Sequence, residues 1–259
     1  MRNILAIVER ELRSYFNSPI AYVVLTIFVL LSGIFFRLYL AGVMQMAMIA
    51  QMQAQQLGPR PIDMPGQISS GLLQTLSVIL LFLMPMLTMG LFSEEKKRGT
   101  IELLLTAPLT DLQVVLGKFF AGMAFFTILL LSTWIPNGLL YIFSSPASKP
   151  LLIAYLGLFL YGLAIIAIGL FISTLTENQI IASVLSFGTA MVLFLVGAGA
   201  EYADSPTAKS VLTYLDIRSH LDDFMRGVLS TSHVIFYLSL MVVGLFLTYR
   251  SVDSLRWRG

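Results

Sequence analysis

Met64–Ser93, MPGQISSGLLQTLSVILLFLMPMLTMGLFS, runs for 30 residues without one charged side chain. A helix needs about 20 apolar residues, at about 1.5 Å each, to cross the hydrocarbon core of a bilayer. The stretch sustains neither the alternation of a half-buried strand nor the single apolar stripe of a surface helix. It reads as a membrane span, and two more runs read the same way: Phe119–Ser148 is uncharged for 30 residues and Pro150–Thr176 for 27.

Composition extends this reading to the whole chain. Of 259 residues, 57% are hydrophobic and 12% charged, and the mean hydropathy is +0.86. A soluble domain is about one-quarter charged, so residues 1–259 are expected to form a single polytopic, all-α membrane domain. The net charge of +2 is too small to suggest a nucleic-acid partner. Without cysteine, disulfides and thiolate metal sites are excluded. The N-terminus does not read as a cleavable signal, because a structured-looking segment precedes Pro19 where a short basic region would stand.

Six spans fit between the charges, near Ile20–Leu40, Ile68–Phe92, Val114–Phe143, Leu151–Leu175, Gln179–Ala200 and Val234–Tyr249. Pro85 and Pro136 fall inside the second and third, where kinks are expected. Basic residues set the orientation. Lys96-Lys97-Arg98 and the Arg-rich C-terminus flank their spans closely, on the same side as Arg2, Arg10, Arg13 and Lys118. That side is expected to be cytoplasmic, with both termini, leaving Arg37, Arg60, Lys149, Lys209, Arg218 and Arg226 on the other.

Residues 1–18 predict an amphipathic helix lying in the membrane interface. Ile4, Leu5, Val8, Leu12, Tyr15 and Phe16 form one stripe, and Arg2, Asn3, Arg10, Arg13 and Asn17 lie opposite. Glu11 belongs to this element, which Pro19 ends. Ala41–Gln67 reads as a loop; its Met44, Met46, Met48 and Met52 have no His or Cys nearby and suit flexible apolar packing better than a metal.

The most informative polar island is Ser93–Asp111, SEEKKRGTIELLLTAPLTD, between the two longest uncharged runs. Glu94, Glu95, Lys96, Lys97 and Arg98 close the second span with a charge cluster. Gly99 breaks that helix and Thr100 caps a short new one carrying Ile101, Glu102, Leu103, Leu104 and Leu105, which Pro108 stops. A short helix with charged and apolar parts outside the bilayer suits docking onto a soluble partner.

These residues resemble a family. The E-x4-G-T-I-E-x-L-L-x-T-x-P arrangement of Glu94–Pro108, with Leu116-Gly117-Lys118 downstream, is similar to the cytoplasmic signature of ABC-2 type transporter permeases. The tail, His220–Gly227 (HLDDFMRG) followed by a last span and Arg256-Trp257-Arg258, resembles the gliding-motility (Gld) permease and the NosY-like branch. The resemblance implies an N-terminal elbow helix at 1–18, a coupling helix within 93–111 that touches an ATPase, and a helical re-entrant segment at 201–232 between spans five and six. It also implies two ABC ATPase subunits per complex, a second permease half (a copy or a Gld-type membrane auxiliary subunit), membrane lipids around it, and the bacterial inner membrane as its location. Export is the expected direction; a non-transporting anchor or mechanical-coupling subunit is the alternative.

Spacing within 210–230 supports a surface helix independently. Val211, Leu212, Leu215, Leu221, Phe224, Met225 and Val228 recur at helical intervals among charges too numerous to cross a bilayer. ATP is expected to be bound in trans: the glycine a phosphate loop requires five positions before Gly117-Lys118 is Leu112.

Polar residues within the spans are few. Arg37 lines a path or snorkels outward; Gln74 and Asn137 hydrogen-bond between helices or line a conduit. His220 and His233, thirteen apart at the rim, do not suggest a metal site. An intramembrane enzyme is disfavoured, because the expected spans contain no Asp, Glu or His and Ser132 and Ser186 have no base nearby.

Overall fold

The chain is described by a computed structural model covering residues 2–57, 63–102, 109–143 and 148–256. All regular structure among these residues is helical: α1 (Arg2–Asn17), α2 (Pro19–Leu57), α3 (Met64–Thr88), α4 (Gly90–Lys97), α5 (Asp111–Ser132), α6 (Trp134–Phe143), α7 (Ser148–Ser173), α8 (Gln179–Gly199), a single 3-10 turn (Ala200–Tyr202), α9 (Pro206–Leu215), α10 (Ile217–Met225) and α11 (Thr231–Arg256). Among the described residues, six stretches are long and apolar enough to cross a membrane: Pro19–Met52, Pro65–Lys97, Asp111–Leu140, Ser148–Ser173, Gln179–Tyr202 and Thr231–Leu255. The chain is a polytopic helical membrane protein.

The fourth span, α7, is the hub. It packs against α3, α5, α8, α10 and α11. In lipid, helices gain little from excluding water from one another, so association rests on close packing and interhelical hydrogen bonds. Gly162 of α7 lies against the ring of Phe126 on α5, and the Tyr161 hydroxyl donates to Ser77 O of α3 at 3.1 Å. By contrast α2 lies at the edge, chiefly against α3, and exposes Ile27, Leu30, Ile34 and Leu38 outward.

Two boundaries differ from the sequence reading. The segment from Ala41, read as loop, continues α2 as far as Leu57. Its Ala, Met, Gln and Leu residues are strong helix formers, and neither Pro nor Gly intervenes between Gly42 and Gly58. At 39 residues, α2 extends to about 58 Å, well beyond the ~30 Å hydrocarbon core. The last span is also longer than the Val234–Tyr249 window, because Arg250 and Asp253 continue the helix and pair with each other at 3.8 Å.

Both prolines lie beside breaks. Pro136 cannot donate to Ser132 O, where α5 ends before α6 begins. The second span continues through Pro85 and is interrupted at Met89, between α3 and α4.

Candidate functional site

At the end of the bundle where α1 lies, local sequence builds a compact polar cluster. Thr110 and Gln113 form a capping box that fixes the start of α5: the Gln113 amide donates to Thr110 Oγ1 and the Thr110 amide to Gln113 Oε1, both at 3.3 Å. One turn later, α5 places Gly117 under Ile7 of α1; a Cβ at Gly117 would stand 2.7 Å from Ile7 Cγ2. Only a residue without a side chain lets the two helices approach so closely. That approach carries the neighbouring Lys118 into the interior, where its side chain is 1% exposed.

Buried charges need partners, and Lys118 has three. Its Nζ stands 3.0 Å from Glu11 Oε1 of α1, 3.0 Å from Glu95 Oε2 of α4, and donates to Leu91 O. The Phe92 ring lies 5.0 Å away. Arg10 Nη2 closes the cluster from the rim, 2.5 Å from Glu11 Oε1 and 2.7 Å from Glu95 Oε1. Burial works against ionisation of Glu11, but Lys118 and Arg10 outweigh it and hold its carboxyl below the ordinary carboxylate range. Burial likewise opposes the Arg10 charge, and the two glutamates outweigh it and raise its pKa.

The apolar stripe expected on α1 is divided in the structure. Leu12, Tyr15 and Phe16 pack on the bundle core, whereas Leu5 is 67% exposed; Ile7, which lies outside that stripe, is buried. The Tyr15 hydroxyl donates to Leu87 O at 3.2 Å, and both Tyr15 and Phe16 meet the Phe125 ring. The bundle-facing side is thus centred on Ile7, Glu11 and Tyr15. Arg13 turns outward and pairs with Glu9 at 2.5 Å.

The last turn of α4 ties this end together. Lys96 Nζ donates to Thr174 O beyond α7, and Thr174 Oγ1 lies 2.8 Å from Ser251 Oγ of α11. Glu94 pairs with Arg98 at 2.5 Å. The helix then ends in a Schellman motif, with the Gly99 amide donating to Lys96 O and the Thr100 amide to Glu95 O. Gly99 adopts φ +69°, a left-handed conformation that other residues enter only under strain. The Thr100 hydroxyl donates back to Glu95 O at 3.3 Å. Ile101 and Leu109 pack on the core at either end of the segment, and Glu102 is exposed. Leu103, Leu104, Leu105 and Pro108 lie outside the described residues. Between α1 and α4 opens a cleft of about 740 Å³ lined by Glu9, Arg10, Arg13, Glu94, Arg98 and Gln179.

Contacts at this end thus join α4 to α1 and α5 through the Lys118 cluster, and to the end of α7 and to α11 through Lys96 and Thr174. The Gly117-Lys118 pair is committed to this linkage, with the ammonium fully engaged by carboxylates and a carbonyl.

The remaining sequence candidates lie elsewhere. Gln74 Nε2 donates to Asp222 Oδ1 of α10 at 3.0 Å, joining α3 to the far end of the bundle. Asn137 is buried, donating to Thr133 O at 3.1 Å and to the Tyr155 hydroxyl at 2.9 Å, which ties α6 to α7. Arg37 lies on the exposed face of α2. At the far end, α10 buries Ile217, His220, Leu221, Phe224 and Met225 against the bundle, and Phe224 packs on Gly157 of α7. His220 and His233, which the reading left unconnected, meet there with Nδ1 atoms 2.6 Å apart.

The Lys118 cluster was also missed. Its signal was present in two isolated facts: a carboxylate, Glu11, four residues from Ile7 and from Tyr15 on one helix face, and a lone lysine early in an otherwise apolar helix. No comparable spacing connects the two histidines.

Comparison with known proteins agrees with the architecture. The probable multidrug ABC transporter permease YbhR of Escherichia coli (strain K12) is 26% identical over 143 residues, covering 52% of this chain and 37% of that protein. The protein of the same name from Escherichia coli O157:H7 aligns to the same extent. The chain thus spans little more than a third of the length of the curated relatives it matches. A family match, to the ABC-2 family transporter proteins, covers residues 5–252. Because that match runs from α1 through all the intervening spans into the last turns of α11, the chain belongs to the ABC-2 family of transporter proteins.

Proposed function

We propose that this chain is the membrane permease subunit of an exporter driven by a separate ATP-hydrolysing subunit, and that α1 with residues 93–111 is the surface on which that subunit acts. The observation that carries the reading is the Lys118 cluster, which binds α1, α4 and α5 around one buried ammonium. A soluble engine pressing on the exposed apex Lys97–Thr100 would move a linked unit rather than a loose loop. The name of the E. coli relatives, a multidrug permease, favours export of small organic molecules.

In this reading the α1 end faces the cytoplasm, as Lys96, Lys97 and Arg98 favour, and the membrane is the bacterial inner membrane. The α9–α10 hairpin dips into the outer leaflet. One six-span chain forms half of a conduit, so the complex holds a second permease half, a copy or a Gld-type auxiliary subunit, and two ABC ATPase subunits. Kinship to the Gld and NosY-like branch rests on the motifs at Glu94–Pro108 and His220–Gly227.

Co-expression with an ATP-binding-cassette subunit and purification in mild detergent test this. A complex with two ATPase subunits and two membrane subunits is expected. A monomeric permease that never retains an ATPase would contradict it.

A further inference from the structure

At the end opposite α1, four groups form a linear chain. Tyr214 O lies 2.9 Å from His220 Nε2, His220 Nδ1 lies 2.6 Å from His233 Nδ1, and His233 Nε2 lies 2.8 Å from Asp223 Oδ2. A backbone carbonyl and a carboxylate stand at the two ends, and each can only accept. Three contacts require three protons, whereas two neutral imidazoles carry two. Four protons on the four ring nitrogens would instead set N–H against N–H across the 2.6 Å contact.

We propose that His220 and His233 together bind one shared excess proton, and that this proton fastens the α9–α10 hairpin to the first turn of α11. Loss of the proton leaves a ring lone pair facing either the other imidazole or the Asp223 carboxylate, and the hairpin loosens as pH rises. A second proton opposes the clamp from the acid side.

The surroundings limit the pair to at most one positive charge. His220 is 6% exposed and stacks on Phe236 at 3.9 Å between centroids. Burial holds the His220 pKa below the ordinary imidazole range, with His233 adding to the effect and Tyr214 O, Asp216 and Asp223 opposing it. Of the other groups nearby, Asp222 is engaged by Gln74 of α3, and Arg218 lies over the Phe194 ring of α8. From α11, Tyr237 donates to Ile217 O and meets Tyr161 of α7 edge-on. The hairpin has a weak half: α10 is buried in the bundle, but α9 has no buried residue. Loosening is therefore felt first in α9, whose end is held through Tyr214 O.

Residues 1–259 contain no cysteine, so a nitroxide on Val211→Cys in this chain, held in lipid nanodiscs, reports on α9 alone. An immobilised spectrum is expected at mildly acidic pH, where the excess proton is held, with a mobile component growing as pH is raised through the imidazole range. Asp223→Asn decides the matter: its carboxamide can donate to a neutral His233 Nε2, so all three contacts survive without the excess proton. In that background the mobile component that grows as pH is raised should disappear. His233→Phe should leave α9 mobile at every pH, and if it does not fold the Asp223→Asn comparison still decides. A native spectrum indifferent to pH, or a transition in Asp223→Asn matching that of the native chain as pH is raised, would overturn the proposal.

Discussion

The Lys118 ammonium stands 3.0 Å from the Glu11 carboxylate, across 107 residues of chain. Glu11 comes from a helix outside the six spans and Lys118 from within the third, so the contact fixes the amphipathic helix to the bundle. Glu95 shares the same ammonium, and the polar segment after the second span is held in the same grip.

Removing the ammonium leaves two carboxylates facing each other with only the rim guanidinium between them. Lys118→Met should cost about 3–5 kcal/mol, the usual penalty for stranding buried charge. Arg10→Gln should cost less than about 1 kcal/mol, since its side chain is half exposed and Lys118 still pairs both glutamates. Thermal unfolding midpoints in detergent separate the two; equal losses would mean that the buried contact is not the fastening.

The pH dependence has a definite sign. A carboxyl held below its ordinary range contributes stability that is fully present above that range and is lost as pH falls through the folded value. For Glu11, acidification should therefore loosen α1 and lower the unfolding midpoint. Glu11→Gln should flatten this acid limb. An acid limb of the same depth in the variant would assign it to other carboxylates.

Close approach at Gly117 makes a third test. Gly117→Ala places a Cβ 2.7 Å from Ile7 Cγ2, and overpacking of this kind costs about 1–3 kcal/mol. Combining it with Ile7→Ala should recover part of that loss, so the double variant is more stable than the two single effects summed. Strict additivity would show that the helices do not meet there.

Much of the fold was legible because membrane spans announce themselves by missing charge, a signal that needs no partner. Their ends were less so. The Met- and Gln-rich continuation of α2 is polar enough to resemble a loop, yet its residues favour helix, and hydropathy does not separate those cases. The stripe on α1 was visible, but whether Leu5 or Ile7 faces protein depends on Gly117, a hundred residues away. The polar island Ser93–Asp111 was recognisable from charge and turn residues. The Lys118 cluster and the His220–His233 contact join elements that periodicity treats separately, and only packing reveals them.

The central claim is that a separate ATPase bears on the segment after α4. A photo-reactive amino acid placed at Glu102, exposed at that end, and another at Lys149, exposed at the opposite end, test it in living cells. Irradiation should yield a covalent adduct at Glu102 whose partner is identified by mass spectrometry as an ATP-binding-cassette subunit, and none at Lys149. Adducts with such a subunit at Lys149, or none at Glu102 while the co-expressed ATPase is present, would contradict the account.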